Sequence, residues 1–386
     1  MRFSQAVLAL PKSYSQEDLV KLFDKVKNGL TLSFLVAACG LSAGAQENFL
    51  NPGTISVIAS TIPTNGDVNP YGVARVPQSK NSLVEGNILV SNFNSVANLQ
   101  GTGTTIVQIS PEGAVSLFAQ IDANTLPGPC PGGIGLTTAL SVLRSGWVIV
   151  GSLPTTDGMS DTAEAGCLLV LDSTGNVVET IYGSLINGPW DMTALDSGSS
   201  ATLFVTNVLN GTAAGGGRVV HGGTVVRLTL NGLNTSMPSL QSMTVIGSGF
   251  PERTDPAALV IGPTGVGLSP NSSLLYVADS LSNRVAAIPN PVFRVTSAGI
   301  GATVTQGGSL DDPLGLAVSA GGNILTVNGA NGFLVTTTPN GVQISKKLLD
   351  SSGTPPGNGA LFGLVPVAGQ GLYYVDDVTN TLNLFN

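Results

Sequence analysis

Six times along the chain a short apolar run closes on a polar residue: ILVSN at 88–92, VIVGS at 148–152, LFVTN at 203–207, LYVAD at 275–279, ILTVN at 324–328 and LYYVD at 372–376. The polar ends are 60, 55, 72, 49 and 48 residues apart. That spacing exceeds the roughly 40–45 residues of a compact four-stranded blade, so the surplus falls in loops. A Pro-centred opening into another apolar strand stands before five of the runs, at Pro70-Tyr71-Gly72, Pro131-Gly132-Gly133, Pro189-Trp190-Asp191, Pro263-Thr264-Gly265 and Pro313-Leu314-Gly315, and a degenerate sixth lies at 359–364. Downstream come a third strand, a Gly-containing hairpin turn such as Ser173-Thr174-Gly175 or Pro339-Asn340-Gly341, and a fourth strand. Such turns are hairpin chemistry, and four antiparallel strands per repeat make a propeller blade.

The pattern therefore predicts an all-β, six-bladed β-propeller, with blades at 64–122, 123–184, 185–250, 251–308, 309–350 and 351–386 plus 53–61. The last repeat reaches only its third strand, at 382–385, whereas 53–61 (GTISVIAST) is a surplus strand ahead of the first opening. Pairing the two closes the ring and removes the exposed edges of an open array.

Composition agrees with many tight turns: 50 Gly and 23 Pro, with 10% charged residues. Net charge is −8 and the 15 basic residues are scattered without a stripe, so nucleic acid is not an expected partner. The run at 29–41 (GLTLSFLVAACGL), after Lys25 and Lys27 and before Ala43-Gly44-Ala45, has the form of a secretory leader cut after Ala45. It leaves 46–386 as a mature chain with no stretch long enough to span a membrane. Export to the periplasm or beyond is expected. A second route remains open, because Val36-Ala37-Ala38-Cys39 resembles a lipobox that would leave Cys39 lipidated. Residues 1–24 are long for a leader, and a start at Val26 is an alternative to a long charged segment. In an exported chain Cys130 and Cys167 are expected to form a disulfide. First and third strands of a blade lie about 9.5 Å apart, beyond the ~7 Å bridging limit, so the segment from Pro127 to Pro131 must fold over toward the 153–166 loop.

Ser269-Pro270-Asn271, Leu275 to Ser280 and Asn283-Arg284-Val285 together resemble an NHL repeat. The recurring Pro-x-Gly opening is similar to that of regucalcin/gluconolactonase-like six-bladed propellers. That resemblance implies a calcium ion at the channel mouth, held by Glu, Asn and Asp side chains at blade openings. The corresponding positions here are Tyr71, Gly132, Trp190, Thr264 and Leu314, none of them a carboxylate or amide, and a hard cation needs several oxygen ligands. The reading is accordingly no metal and no cofactor. His221, the single His, lies in a glycine-rich stretch that reads as an exposed loop and a poor platform for a catalytic base.

Acidic and amide residues do gather at blade openings: Asp67, Asn69, Asp191, Asp255, Asp311 and Asp312. All but Asp255 are the candidate ligand-binding residues of the channel mouth, set against their alternative role as turn formers before Pro. The strand-end residues Asn92, Asn207, Asp279, Asn328 and Asp376 read as turn formers first. Strand parity puts the second-to-third-strand loops at the channel mouth. Those at 153–166, with Asp157, Asp161 and Glu164, and at 208–223 are long, whereas 329–332 is short. Loop insertions on repeat scaffolds carry function. The expectation is an exported, monomeric, non-catalytic propeller binding a ligand or protein partner through the loop-rich face of blades 1 to 3. The alternative is a lactonase-like or other hydrolase with its site at the channel mouth.

Overall fold

The computed structural model describes residues 53–234, 237–256 and 258–386. The expected leader, with its cleavage site, Cys39 and the start at Val26, lies outside the described residues.

Strand β1 (Ile55–Ser60) is the first strand among the described residues and belongs to the last blade. Blade 1 is β2 (Val68–Arg75), β3 (Ile88–Asn94), β4 (Thr105–Ile109) and β5 (Val115–Gln120). Blade 2 is β6 (Leu136–Val142), β7 (Val148–Ser152), β8 (Cys167–Leu171) and β9 (Val177–Ile181). Blade 3 carries five strands: β10 (Pro189–Asp196), β11 (Ser200–Asn207), β12 (Val220–Asn231), β13 (Ser239–Asp255) and the short β14 (Leu259–Ile261). Blade 4 is β15 (Pro263–Leu268), β16 (Leu274–Asp279), β17 (Arg284–Pro289) and β18 (Ala302–Gln306). Blade 5 is β19 (Pro313–Val318), β20 (Ile324–Asn328), β21 (Phe333–Thr337) and β22 (Gln343–Leu348). Blade 6 is β23 (Leu361–Val367), β24 (Gly371–Asp376) and β25 (Thr381–Phe385), with β1 antiparallel to β25 in the register Ile55 to Phe385 through Ser60 to Thr381.

The six first strands stand side by side around the axis, and the Pro-x-Gly openings explain how closely they approach. A β-carbon on Gly315 would sit 1.8 Å from the Phe362 carbonyl oxygen, and one on Gly363 would sit 2.1 Å from that of Tyr71. Only glycine lets the inner strands of neighbouring blades pass at that separation.

Second and third strands are buried on both faces, as in β3 and β8, while the outer β22 alternates half-buried and exposed residues. The apolar core is thus a ring of layers between blades, each sheet packed on the next. Leu89, Ile106 and Phe118 of blade 1 meet Leu140, Val148 and Leu169 of blade 2, for example. Asp279 and Arg284, in the stretch that resembles an NHL repeat, form a buried ion pair at 2.7 Å. A disulfide joins Cys130 to Cys167 with their Cα atoms 5.2 Å apart. The segment before β6 does fold over the 153–166 loop, held there by the Gly132 N–H on the Ala165 carbonyl at 2.8 Å.

Two details differ from the sequence reading. Exposed His221 lies at the start of β12 rather than in a loop, because that strand begins at Val220 and shortens the preceding loop. Strand β14 has no counterpart in the other repeats, since the apolar segment between blades 3 and 4 turns back to pair with the end of β13.

Candidate functional site

The inner strands begin at what is here termed the upper face, the end that also carries the long loops. Tyr71 stacks on Phe93 at 4.4 Å between ring centroids and on Phe362 at 3.8 Å, and Trp190 lies 6.2 Å from Phe362. Trp190 belongs to blade 3 and Phe362 to blade 6, three blades apart in a ring of six. Their rings can meet only on the axis. Leu314 joins the same buried cluster, and Leu259, Val260 and Ile261 of β14 close it from above. The Trp190 Nε1–H donates to the Val260 carbonyl at 3.0 Å. Leu153 and Val208 bring the two long loops into the cluster. Ala163 and partly buried Leu209 of the same loops pack there as well.

The positions at which the resemblance would place calcium are therefore interior packing. Tyr71, Trp190 and Leu314 form the plug. Thr264, fully buried, bonds Ser280 Oγ and the Pro313 carbonyl, and Gly132 secures the loop crown. These residues do not fit a hard cation, which takes six to eight oxygens.

The sequence candidates part company. Asp67 Oδ2 accepts from the Thr104 N–H at 2.8 Å and the Thr105 hydroxyl at 2.9 Å, so it braces blade 1. Asp191 lies below the plug, where it accepts the N–H groups of Met192 at 2.7 Å and Val266 at 3.0 Å. Burial pushes its carboxyl up to about 8. It lines a cavity of about 350 Å³ in the lower half of the channel, with Thr138, Ser141, Thr193 and Arg75.

Asp255, Asp311 and Asp312 come together around a pocket of about 310 Å³ lined from blades 3, 4 and 5 and by Asn358, with Ile261 and Leu314 of the plug in its wall. Arg253 pairs with Asp255 at 3.1 Å, and exposed Asp311 accepts from Asn331 Nδ2 at 3.0 Å. Burial first, then the charge of Asp255, raises Asp312 to about 7. Asn69 lies on the other side of Asn358, in a cleft of about 510 Å³ between blades 6 and 1, shared with Asn94, Gln100, Asp377 and Asn380.

Sequence reasoning missed Asn94, Gln100, Asp377, Asn380 and Arg253. The amide-rich run 92–100 and the acidic pair at 376–377 were the available signal. It also missed Glu252, fully buried and raised to about 7 by burial, whose Oε1 holds the loop at Asn210 and Thr212.

No family model matches the sequence, and no curated protein matches it. Among solved structures the chain is similar to a gluconolactonase from Xanthomonas campestris, with 13% identity, coverage of 86% of this chain and 89% of that one, and a TM-score of 0.52. It is similar to a calcium-binding regucalcin from Agrobacterium tumefaciens, with 13% identity, 85% and 95% coverage and a TM-score of 0.53. Virginiamycin B lyase from Staphylococcus aureus gives 12% identity, 86% and 99% coverage and a TM-score of 0.51. At such identities the likeness is one of fold alone: the chain is a six-bladed propeller by its own strand order, and it is similar in fold to these three proteins.

Proposed function

We propose that the chain is an exported, non-catalytic propeller that binds a ligand or protein partner on its loop-rich upper face, beside the axis and not on it. The observation that carries this reading is the plug. Where a propeller of the lactonase kind would hold its metal, Tyr71, Phe93, Trp190, Leu314 and Phe362 fill the space. Two polar pockets flank Asn358 on that face. The leader-like sequence at 29–45 and the disulfide support export, because disulfides persist in oxidising compartments.

One observation favours the second reading, a hydrolase of the gluconolactonase kind. Asp312, raised to about 7 in a pocket with Asp255 and Arg253, has the acidity of a general acid or base near neutral pH. Assay of the purified mature protein against a panel of lactones and esters, together with its metal content, separates the two. The binding reading expects no turnover and no stoichiometric calcium. Turnover that falls by about 100-fold or more in Asp312→Asn would establish the enzyme instead.

A further inference from the structure

The cleft between blades 6 and 1 is lined by several residues whose side-chain oxygens are buried and unpaired. Asn94 is only 2% exposed, yet its Oδ1 is buried without a hydrogen-bond partner among the described residues, as are Gln100 Oε1 and Asp377 Oδ1, while Asn69, 7% exposed, has the Tyr71 hydroxyl beside its side chain. All four residues line the same cavity. Gln100 is fixed in orientation, because its Nε2 donates to the Pro256 carbonyl at 2.8 Å and its oxygen must face elsewhere; Asn94 Nδ2 donates to Asn98 Oδ1 at 2.7 Å. Among the described residues, no Lys, Arg or His lines the cleft.

A buried acceptor left unpaired costs about 1–3 kcal/mol, more when it is charged, so a ligand that supplies donors is favoured. We propose that this cleft binds a primary ammonium group carried on a short aliphatic chain. An ammonium brings three N–H donors and no lone pair, matching an oxygen-only set that includes one carboxyl. A hydroxyl would bring lone pairs of its own and leave Asp377 uncompensated. A bare metal ion needs six to eight oxygens converging on one point, whereas the cleft, at about 510 Å³, is roomy. Val96 and Val378, 71% and 47% exposed, give it an apolar wall for a hydrocarbon body.

Asp377 makes the binding depend on pH. Burial raises it to about 8, with the charges of Asp376 and Asp350 adding to the rise, and Tyr71 faces it from blade 1. An ammonium pairs with the carboxylate and not with the acid, so affinity increases as pH passes upward through that value.

The inference rests on the upper-face binding reading and is tested separately from it. Butylammonium is titrated into the mature chain by calorimetry at pH 6.5 and 8.5, with butanol and calcium chloride as comparisons and Nα-acetyl-lysine amide to distinguish a partner's lysine from a free amine. Saturable binding is expected, tightening on the order of ten-fold between the two pH values. It should weaken at least ten-fold in Asp377→Asn. It should also weaken in Val96→Lys, whose substitution at an exposed rim position leaves folding intact and supplies a tethered ammonium. Binding of butanol as tight as butylammonium, binding indifferent to pH, displacement by equimolar calcium, or no binding in a folded protein would each overturn the ammonium site. Lactone turnover would overturn the non-catalytic reading while leaving this titration interpretable.

Discussion

Asn380 Oδ1 accepts the backbone N–H of Asn69 at 2.7 Å, a bond across 311 residues that ties the last blade to the first. Asn283 Oδ1 does the same for Asp312 at 2.6 Å, tying blade 4 to blade 5. All four residues have positive φ, at 54° and 60° in the first pair and 46° and 53° in the second. Asn and Asp tolerate that left-handed region better than most residues. Asn69 and Asp312 also each precede a proline, which disfavours the right-handed helical region. One device thus joins two pairs of blades, and in both places it turns a strained residue toward a pocket.

Replacing Asn380 with Ala removes the acceptor and puts an ordinary β-carbon into the left-handed region. The lost bond leaves a buried N–H unpaired, at about 1–3 kcal/mol, and the backbone change adds about 1–2 kcal/mol. Urea unfolding should show a loss within the sum of those ranges, and hydrogen exchange should quicken first along the seam between β2 and β25. Asn380→Gly, which relieves only the backbone, should fall between wild type and Ala.

Trp190→Phe tests the plug. The ring volume is largely kept but the Val260 carbonyl loses its donor, so about 1–3 kcal/mol of stability should go. Protease should then cut more readily at 256–262. Trp190→Ala also empties the axis and should cost about 3–5 kcal/mol. Trp147, half-buried, is the other of the two Trp residues. Fluorescence of either variant should therefore lie to the red of wild type, and an unshifted spectrum would place Trp190 outside the apolar cluster.

What the sequence disclosed and what it hid follow from the range of the interactions. The run at 275–279 and its five counterparts, the Pro-centred openings and the Gly turns are local signals repeated six times, and they set blade number and strand order. The glycines at 315 and 363 were visible as a motif, though their reason, a neighbouring carbonyl where a β-carbon would sit, is tertiary. The plug was hidden because Tyr71, Trp190, Leu314 and Phe362 come from four blades and look like ordinary strand residues in each. Segment 258–261 gave no warning either, having no equivalent in other repeats. Asn69 was a candidate on sequence, but its partner Asn380 and its cleft neighbour Asp377 reach it only once the ring has closed. The bracing bonds of Asp67 to Thr104 and Thr105 were hidden because an acidic residue before a strand looks the same whether it faces a ligand or braces its own blade.

The disulfide closes a separation of 37 residues, for which chain entropy gives about 4 kcal/mol. The double variant Cys130→Ala, Cys167→Ala should lose about 3–4 kcal/mol in urea unfolding. It should also free the 153–166 loop, now pinned to the segment before β6, to cleavage by protease. Wild type treated with reductant should match the variant, and an unchanged unfolding midpoint in both would deny the bond any part in stability.

Buried carboxyls give the protein an unusual response to pH. Asp191 and Asp377 are raised to about 8, and Asp312 and Glu252 to about 7, in each case chiefly by burial. Their ordinary values are 3.8 for Asp and 4.5 for Glu. Between those values and the raised ones the folded chain holds protons that the unfolded chain has released, so unfolding becomes more favourable as pH rises. Stability should decline from pH 5 to pH 8, on the order of 1 kcal/mol per pH unit for each group that stays protonated across the step. Asp191→Asn carries no charge and should flatten that decline. It should also lower stability at pH 5 by about 1–2 kcal/mol, because its amide NH₂ must face one of the two backbone N–H groups that the carboxyl accepts. Urea midpoints measured for both proteins at pH 5, 6.5 and 8 check the slope and the offset together. Curves that stay parallel across the range would show that Asp191 is already ionised in the folded chain.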